Sequence, residues 1–130
     1  MATPKLDIEL DDAYQAFLTD RRRQILDRVS AACSRAGRDA SEVLALAVSK
    51  TVEPEACLLA WRAGWRAFAE NRPQELSRKL EFAATEPEMA EARFDAIGNL
   101  QKNKINQVIG RVALLHSISS SELALSLIHI

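Results

Sequence analysis

The fold of this chain is decided by one stretch, Val43-Leu44-Ala45-Leu46-Ala47-Val48-Ser49-Lys50-Thr51. Its six apolar residues, 43–48, run without a break between turn-forming residues, which is the pattern of a strand buried on both faces. Such strands occur in α/β proteins, which build their sites at the carboxyl ends of the strands. Lys50 stands at that end, where desolvation would favour a neutral, nucleophilic amine. On this stretch alone, a solvated loop lysine is the commoner case.

The segments on either side repeat the order strand, then helix. Apolar stripes at helical spacing alternate with short apolar runs, and proline or glycine marks most boundaries. The predicted elements are helix 11–36, strand 43–48, helix 54–63, strand 66–69, helix 73–82, strand 94–97, helix 99–109, strand 112–117 and a capped helix beginning at 119. Four strand–helix repeats predict an α/β fold with a parallel sheet.

Composition narrows the class of protein. The chain has 130 residues, enough for one domain, and a formal net charge of −1, which gives no electrostatic argument for binding nucleic acid or an anionic membrane. No apolar run is long enough for a membrane span. Cys33 and Cys57 fall on apolar helix faces, and no Cys/His spacing indicates a metal site. We therefore expect a reduced, cytoplasmic protein.

Polar side chains stand at the end of each predicted strand. They are Ser49 and Lys50, Glu70 and Asn71, Gly98, Asn99 and Gln101, and His116 and Ser117. In a parallel sheet these ends meet at one rim. One lysine among amides and hydroxyls suits a carbonyl ligand better than a metal or a phosphoryl-transfer site, and no Walker-type loop, GxGxxG or GxSxG is present. Taken singly, Asn71, Asn99 and Ser117 could instead cap the helices that follow them.

The strand ends also carry four longer motifs in order. They are Leu46-Ala47-Val48-Ser49-Lys50-Thr51, Phe68-Ala69-Glu70-Asn71-Arg72-Pro73-Gln74-Glu75-Leu76, Ile97-Gly98-Asn99-Leu100-Gln101-Lys102-Asn103-Lys104 and Leu115-His116-Ser117-Ile118-Ser119. Together they resemble the pyridoxal phosphate homeostasis protein family, which is similar to the N-terminal barrel domain of alanine racemase. The resemblance covers roughly residues 17–124. It implies the N-terminal half of a TIM-type (β/α)8 barrel, truncated to about four strands.

The resemblance also implies a ligand. It predicts pyridoxal 5′-phosphate (PLP) bound as an imine on Lys50, with Asn71 near the cofactor ring and Gly98, Asn99 and Ser117 lining the rim. The implied function is to hold the cofactor and deliver it to PLP-requiring apoenzymes in vitamin B6 homeostasis, with no turnover. No catalytic residue and no metal ligand is assigned.

Several positions depart from the family pattern. The family usually has glycine at Ala69 and histidine at Asn99, and often aspartate at Ser119. A complete barrel takes about 200–250 residues, so the later loops that hold the cofactor phosphate in the family have no counterpart here. We therefore divide the chain into a loose lead (1–10), a partial barrel (11–124) and a tail that does not follow the family (125–130).

Other functions remain open from the sequence. A racemase-type enzyme would need a second acid or base, and Tyr14, the only tyrosine, lies on the first helix. Lys50 could serve another carbonyl ligand or none, and half a barrel could be too incomplete to bind the cofactor. Open edges at the first and fourth strands, with apolar faces exposed, predict that the isolated chain is marginally stable or associates with itself.

Overall fold

A parallel sheet with helices packed against it forms the centre of the molecule. The structure is a computed structural model and describes residues 5–128. Its α-helices are α1 (Asp12–Ala36), α2 (Pro54–Arg62), α3 (Pro73–Thr85) and α4 (Ser121–Ile128), and its strands are β1 (Ala47–Val48), β2 (Ala67–Glu70) and β3 (Arg93–Ala96). Short 3-10 helices are η1 (Ala40–Glu42), η2 (Pro87–Met89) and η3 (Lys102–Gln107). The strands pair in parallel in the order β1-β2-β3, so the predicted α/β class is confirmed.

The helices begin and end where local chemistry favours it. The Asp11 carboxylate accepts a hydrogen bond from the Tyr14 amide at the start of α1, and Gly37 ends that helix with φ of 69°. Both α2 and α3 have proline in the first turn, where no hydrogen bond of the helix is lost. These boundaries agree with the predicted ones to within a few residues.

The core lies between the sheet and the helices α2 and α3. Phe68 of β2 pairs with Phe94 of β3, and their rings stack with centroids 5.4 Å apart. The buried residues of this core are Cys57, Ala60, Phe68, Leu76, Ala83, Met89, Phe94, Ala96 and Val108. Packing therefore fixes the side chains on that side of the sheet, and they form a rigid support for the residues around them.

The first strand is shorter and more exposed than its sequence predicts. Only Ala47 and Val48 pair with β2, and the expected strand over 43–48, buried on both faces, is wrong. Val48 is 52% exposed and Leu44 53%. Ala47 packs against the core, but nothing in residues 5–128 covers the opposite side, and a parallel strand needs a layer on both faces to be buried.

The fourth predicted strand is only partly formed. Segment 112–117 runs beside β3, where the Ala113 amide donates to Phe94 O (2.9 Å) and the His116 amide to Ala96 O (3.0 Å). The ladder reduces to a single bridging pair, Ala96 with Leu115. The sheet thus has three strands and one further pairing segment.

The α-helix predicted over 99–109 is also wrong. Only η3 forms there, and its one buried residue is Ile105. A run of asparagine, glutamine and lysine has little apolar surface to bury, and tertiary burial supplies most of the stability of short helices. The segment therefore stays an irregular loop around a short 3-10 turn.

Both ends of the described chain are attached to the body. Lys5 Nζ lies 2.5 Å from a Glu75 carboxylate oxygen, and the Leu6 amide donates to Thr51 O at 2.7 Å. Helix α4 continues through residue 124 to Ile128. Residues 1–4 of the predicted lead and 129–130 of the predicted tail lie outside the described residues. None of the helices within 5–128 combines the length and apolar character that crossing a membrane requires.

Candidate functional site

Lys50 lies in a tight turn directly after β1. The turn closes with a hydrogen bond from the Val52 amide to Ser49 O (3.2 Å), and Lys5 Nζ donates to Val52 O (3.2 Å). Lys50 itself is exposed to solvent, so the desolvation expected from the sequence is not observed in residues 5–128. The strand that precedes it ends in Val48, which is itself 52% exposed and so is not part of a covered apolar face.

Asn71 follows β2 and carries an unsatisfied buried atom. Its Oδ1 is buried and has no hydrogen-bond partner among the described residues. Leaving a buried carbonyl oxygen unpaired costs about 1–3 kcal/mol, so such an atom calls for an explanation. Helix capping does not supply one: a capping asparagine accepts through this very oxygen, and the cap position of α3 is Arg72. The oxygen can accept a hydrogen bond from a ligand.

Gly98 and Asn99 bring the next loop against Asn71. Gly98 has φ of 74°, and a Cβ added there would lie 3.5 Å from Asn71 Cβ. Asn99 is exposed and lines the same cleft as Asn71, with a volume of about 390 Å³. The other residues lining this cleft are Arg72, Pro73, Gln74, Leu100, Gln101 and Lys104. Two cations and four side-chain amides line the cleft without any carboxylate, which suits a polar ligand carrying negative charge.

Ser117 lies beyond the pairing segment and is half-buried. It does not cap α4, because the hydroxyl of Ser120 accepts from the Leu123 amide instead (3.1 Å). The structure thus brings Asn71, Gly98 and Asn99 together in one place. Neither Lys50 nor Ser117 lines the cleft that Asn71 and Asn99 share.

A buried ion pair beneath the rim was not predicted. Lys79 Nζ lies 2.5 Å from Glu70 Oε2 and 2.5 Å from Ser49 O, and the Ser49 hydroxyl donates to Glu70 Oε2 at 3.1 Å. The side chains of Lys79 and Glu70 are both fully buried. One signal was available in the sequence, because position 79 falls on the apolar stripe of α3 with Leu76 and Ala83.

Cys57 borders the buried pair. Burial raises the pKa of its thiol to about 11, although the charge of Lys79 and a hydrogen bond with Ser49 act in the opposite direction. The thiol is therefore protonated at neutral pH and behaves as an apolar side chain. Within 5–128, no group of three or more His, Cys, Asp or Glu side chains is arranged to hold a metal ion.

A second charged network lies on β3. Asp95 is fully buried and accepts hydrogen bonds from Arg93 (2.8 and 2.9 Å), while His116 Nε2 lies 2.8 Å from its Oδ2. Burial alone would raise the pKa of Asp95, but the hydrogen bonds with Arg93 and His116 outweigh it and hold the pKa below its usual value. The network ties segment 112–117 to the sheet. Tyr14, by contrast, stacks on Phe17 within α1 at 6.3 Å between ring centroids.

Comparison with known proteins gives one consistent result for the sequence. No family model matches the chain. Curated relatives named pyridoxal phosphate homeostasis protein do match: that of Aquifex aeolicus is 38% identical over 105 residues, 81% of this chain and 44% of the relative. The protein of Vibrio cholerae is 39% identical over 104 residues, 79% of this chain and 44% of the relative. The chain therefore spans about half the length of the curated relatives it matches.

Solved structures also match this chain. An unknown protein from Bifidobacterium adolescentis superposes with a TM-score of 0.81 at 36% identity, over 96% of this chain and 53% of that one. PipY of Synechococcus elongatus PCC7942, solved with PLP bound, gives 0.59 at 32% identity, over 79% of this chain and 46% of that one. The same protein without PLP gives 0.61 at 30% identity, over 76% of this chain and 45% of that one.

Proposed function

Because this chain belongs to the pyridoxal phosphate homeostasis protein family, we propose that it holds PLP reversibly through Lys50. It is about half the length of its relatives, so the proposal concerns the part of the site that this half contributes. The loops after β2 and β3, with the turn after β1, form that part.

Lys50 supplies the covalent attachment. PLP, when bound, offers an aldehyde that a primary amine attacks, forming an imine and releasing water. The exposed position of Lys50 makes its amine accessible, and the hydrogen-bonded turn limits the directions from which it reaches the ligand.

The observation that carries the proposal is the unpaired Oδ1 of Asn71. A buried acceptor at the rim fits a ligand with an N–H or O–H group, and a pyridine ring with a phenolic hydroxyl has such donors. The cations Arg72 and Lys104 in the same cleft suit the negative charge of a phosphate. Gly98 and Asn99 belong to the proposed site beside Asn71, and Lys50 and Ser117 would reach the ligand from outside this cleft.

Release follows from the reversibility of the attachment. An incoming amine, or an apoenzyme that binds PLP more tightly, takes the cofactor from Lys50, which gives a role in vitamin B6 homeostasis without turnover.

A racemase-type reaction has less support, because Tyr14 is held on α1 against Phe17. Loss of the α-deuterium of labelled alanine to solvent would favour that enzyme instead.

The test is to trap the adduct. Incubating the 130-residue chain with PLP should give an imine absorption band, and borohydride reduction followed by peptide mass spectrometry should place the label on Lys50. Lys50→Ala should lose the band, whereas Lys102→Ala, at an exposed lysine paired with Glu122, should keep it. If Lys50→Ala keeps an adduct that borohydride traps, the assignment is wrong.

A second measurement tests whether half a barrel suffices. The full-length Aquifex aeolicus relative serves as the comparison in a PLP titration under the same conditions. Binding by the relative but not by this chain would show that the missing part of the site is indispensable.

A further inference from the structure

The buried Lys79 takes no part in the proposed attachment of PLP. It nevertheless contacts the carboxyl ends of the strands that carry the proposed site residues. We infer that Lys79 is a positioning residue, which fixes the turn carrying Lys50 relative to the loop carrying Asn71. The inference rests on the proposed function, because it concerns how the same site is held.

The contacts of Lys79 reach both neighbours of the proposed site residues. Its Nζ donates to the backbone carbonyl of Ser49, the residue before Lys50, and pairs with the carboxylate of Glu70, the residue before Asn71. A single ammonium group on α3 therefore connects the carboxyl ends of β1 and β2. Its stem is packed in the core, so the connection is rigid.

The first strand needs this support because its ladder is so short. After Ala47 and Val48, the last hydrogen bond to β2 runs from the Ser49 amide to Ala69 O at 3.0 Å. The chain then turns, and Lys50 projects from it into solvent. Ser49 O is the anchor of the turn, since it accepts both from Lys79 and from the Val52 amide.

The opposite end of the turn is held by a second lysine. Lys5 donates to Val52 O and pairs with Glu75, so two ammonium groups bracket Lys50 without contacting it. The two pairs differ in burial: Lys79 and Glu70 are fully buried, whereas Lys5 is 23% exposed. A buried ion pair is often no more stabilising than apolar residues of the same size, so stability alone does not account for Lys79.

The experiment separates position from stability with two variants. Lys79→Met leaves Glu70 as a buried, unpaired carboxylate and should be strongly destabilised. The double variant Glu70→Gln/Lys79→Met removes that charge, while the amide oxygen introduced in place of the carboxylate can still accept from Ser49, so it should unfold closer to the wild-type denaturant midpoint. If Lys79 positions the turn, the double variant still captures PLP at Lys50 about tenfold more slowly than the wild type.

A readout without cofactor accompanies the capture rate. Amide hydrogen exchange at Ser49 and Val52, whose amides donate to Ala69 O and Ser49 O, should be faster in the double variant than in the wild type, while exchange within α1 stays the same. Lys102→Met, at an exposed lysine on η3, is the matched control and should change neither the capture rate nor the exchange at the turn.

Each outcome bears on one of the two proposals. The positioning role would be overturned if the double variant captured PLP and exchanged its turn amides at the wild-type rates. A double variant no more stable than Lys79→Met would also overturn it, since Lys79 would then simply be part of the core. A wild-type chain that forms no adduct at Lys50 would instead contradict the proposed function, and the exchange at Ser49 and Val52 would still decide the role of Lys79.

Discussion

Asp95 shows how one residue holds an incomplete part of the sheet together. Its buried carboxylate accepts hydrogen bonds from Arg93 and pairs with His116, which lies on the segment that has only one bridging pair with β3. Side chains thus fasten this segment where the backbone ladder is short. The carboxylate must remain ionised to do so. The lowered pKa of Asp95 means that the folded chain favours this ionised form.

The pH dependence of stability should follow from Asp95. Because its pKa is lower in the folded chain than the usual value of about 3.9 in an unfolded chain, ionised Asp95 stabilises the fold fully above about pH 5. That contribution is lost as the pH falls towards the folded pKa. Urea midpoints measured from about pH 7 down to about pH 3 should fall less steeply for Asp95→Asn than for the wild type. The control Asp27→Asn, at a side chain 71% exposed, should follow the wild-type slope, and equal slopes for all three would contradict the prediction.

At the scale of elements, the sheet and the long helix α1 have very different burial. β2 is buried along its whole length, whereas Cys33 is the one buried residue of α1. The stacked pair of Phe68 and Phe94 joins β2 to β3 at the centre of the core. The strands β2 and β3 therefore lie within the core, whereas most of the side chains of α1 lie outside it.

Matched phenylalanine substitutions test this difference. Phe94→Ala removes a side chain that is 3% exposed and should lower the free energy of unfolding by about 3–5 kcal/mol. Phe17→Ala, at a ring 55% exposed on α1, should cost less than about 1 kcal/mol. Denaturation followed by circular dichroism measures both, and similar losses for the two would show that α1 and the sheet share one core.

The sequence predicts the elements that local residues determine, and it does not predict those that depend on tertiary burial. Local chemistry sets the start of α1 at Asp11 and of α3 at Pro73, so both were predicted correctly, as were β2 and β3. The shortness of β1 depends on what covers its second face, which no local pattern records. Asn71 is predicted as a site residue because it follows a strand, whereas the buried position of Lys79 is not predicted because a single lysine on an apolar stripe is usually solvated.

The main feature of the whole molecule is that both edges of the sheet are open. Exposed apolar side chains lie beside both of its edges: Val43, Leu44 and Val48 around β1, and Leu114 and Ile118 around segment 112–117. Apolar surface next to unpaired strand edges favours pairing with another chain. We therefore propose that the isolated 130-residue chain associates with itself and is only marginally stable as a monomer.

Sedimentation and light scattering over a range of concentrations test this proposal. The expected result is a mass that rises with concentration. Leu44→Lys/Val48→Lys should reduce it, because charged side chains at an edge oppose pairing. The control Phe17→Lys changes an exposed apolar side chain on α1, 55% exposed, and should leave the association unchanged. A single monomeric species that unfolds cooperatively would contradict the proposal.

The attachment of Lys5 and Leu6 to the turn at Thr51 and Val52 has a practical consequence for handling the protein. A bulky or charged label attached at Lys5 or Leu6 is held against the loop that presents Lys50, so it acts on the proposed ligand site. A label on α4 avoids that loop. The same proximity recommends Leu6 for a fluorescent reporter, whose emission would respond when a ligand reaches the lysine.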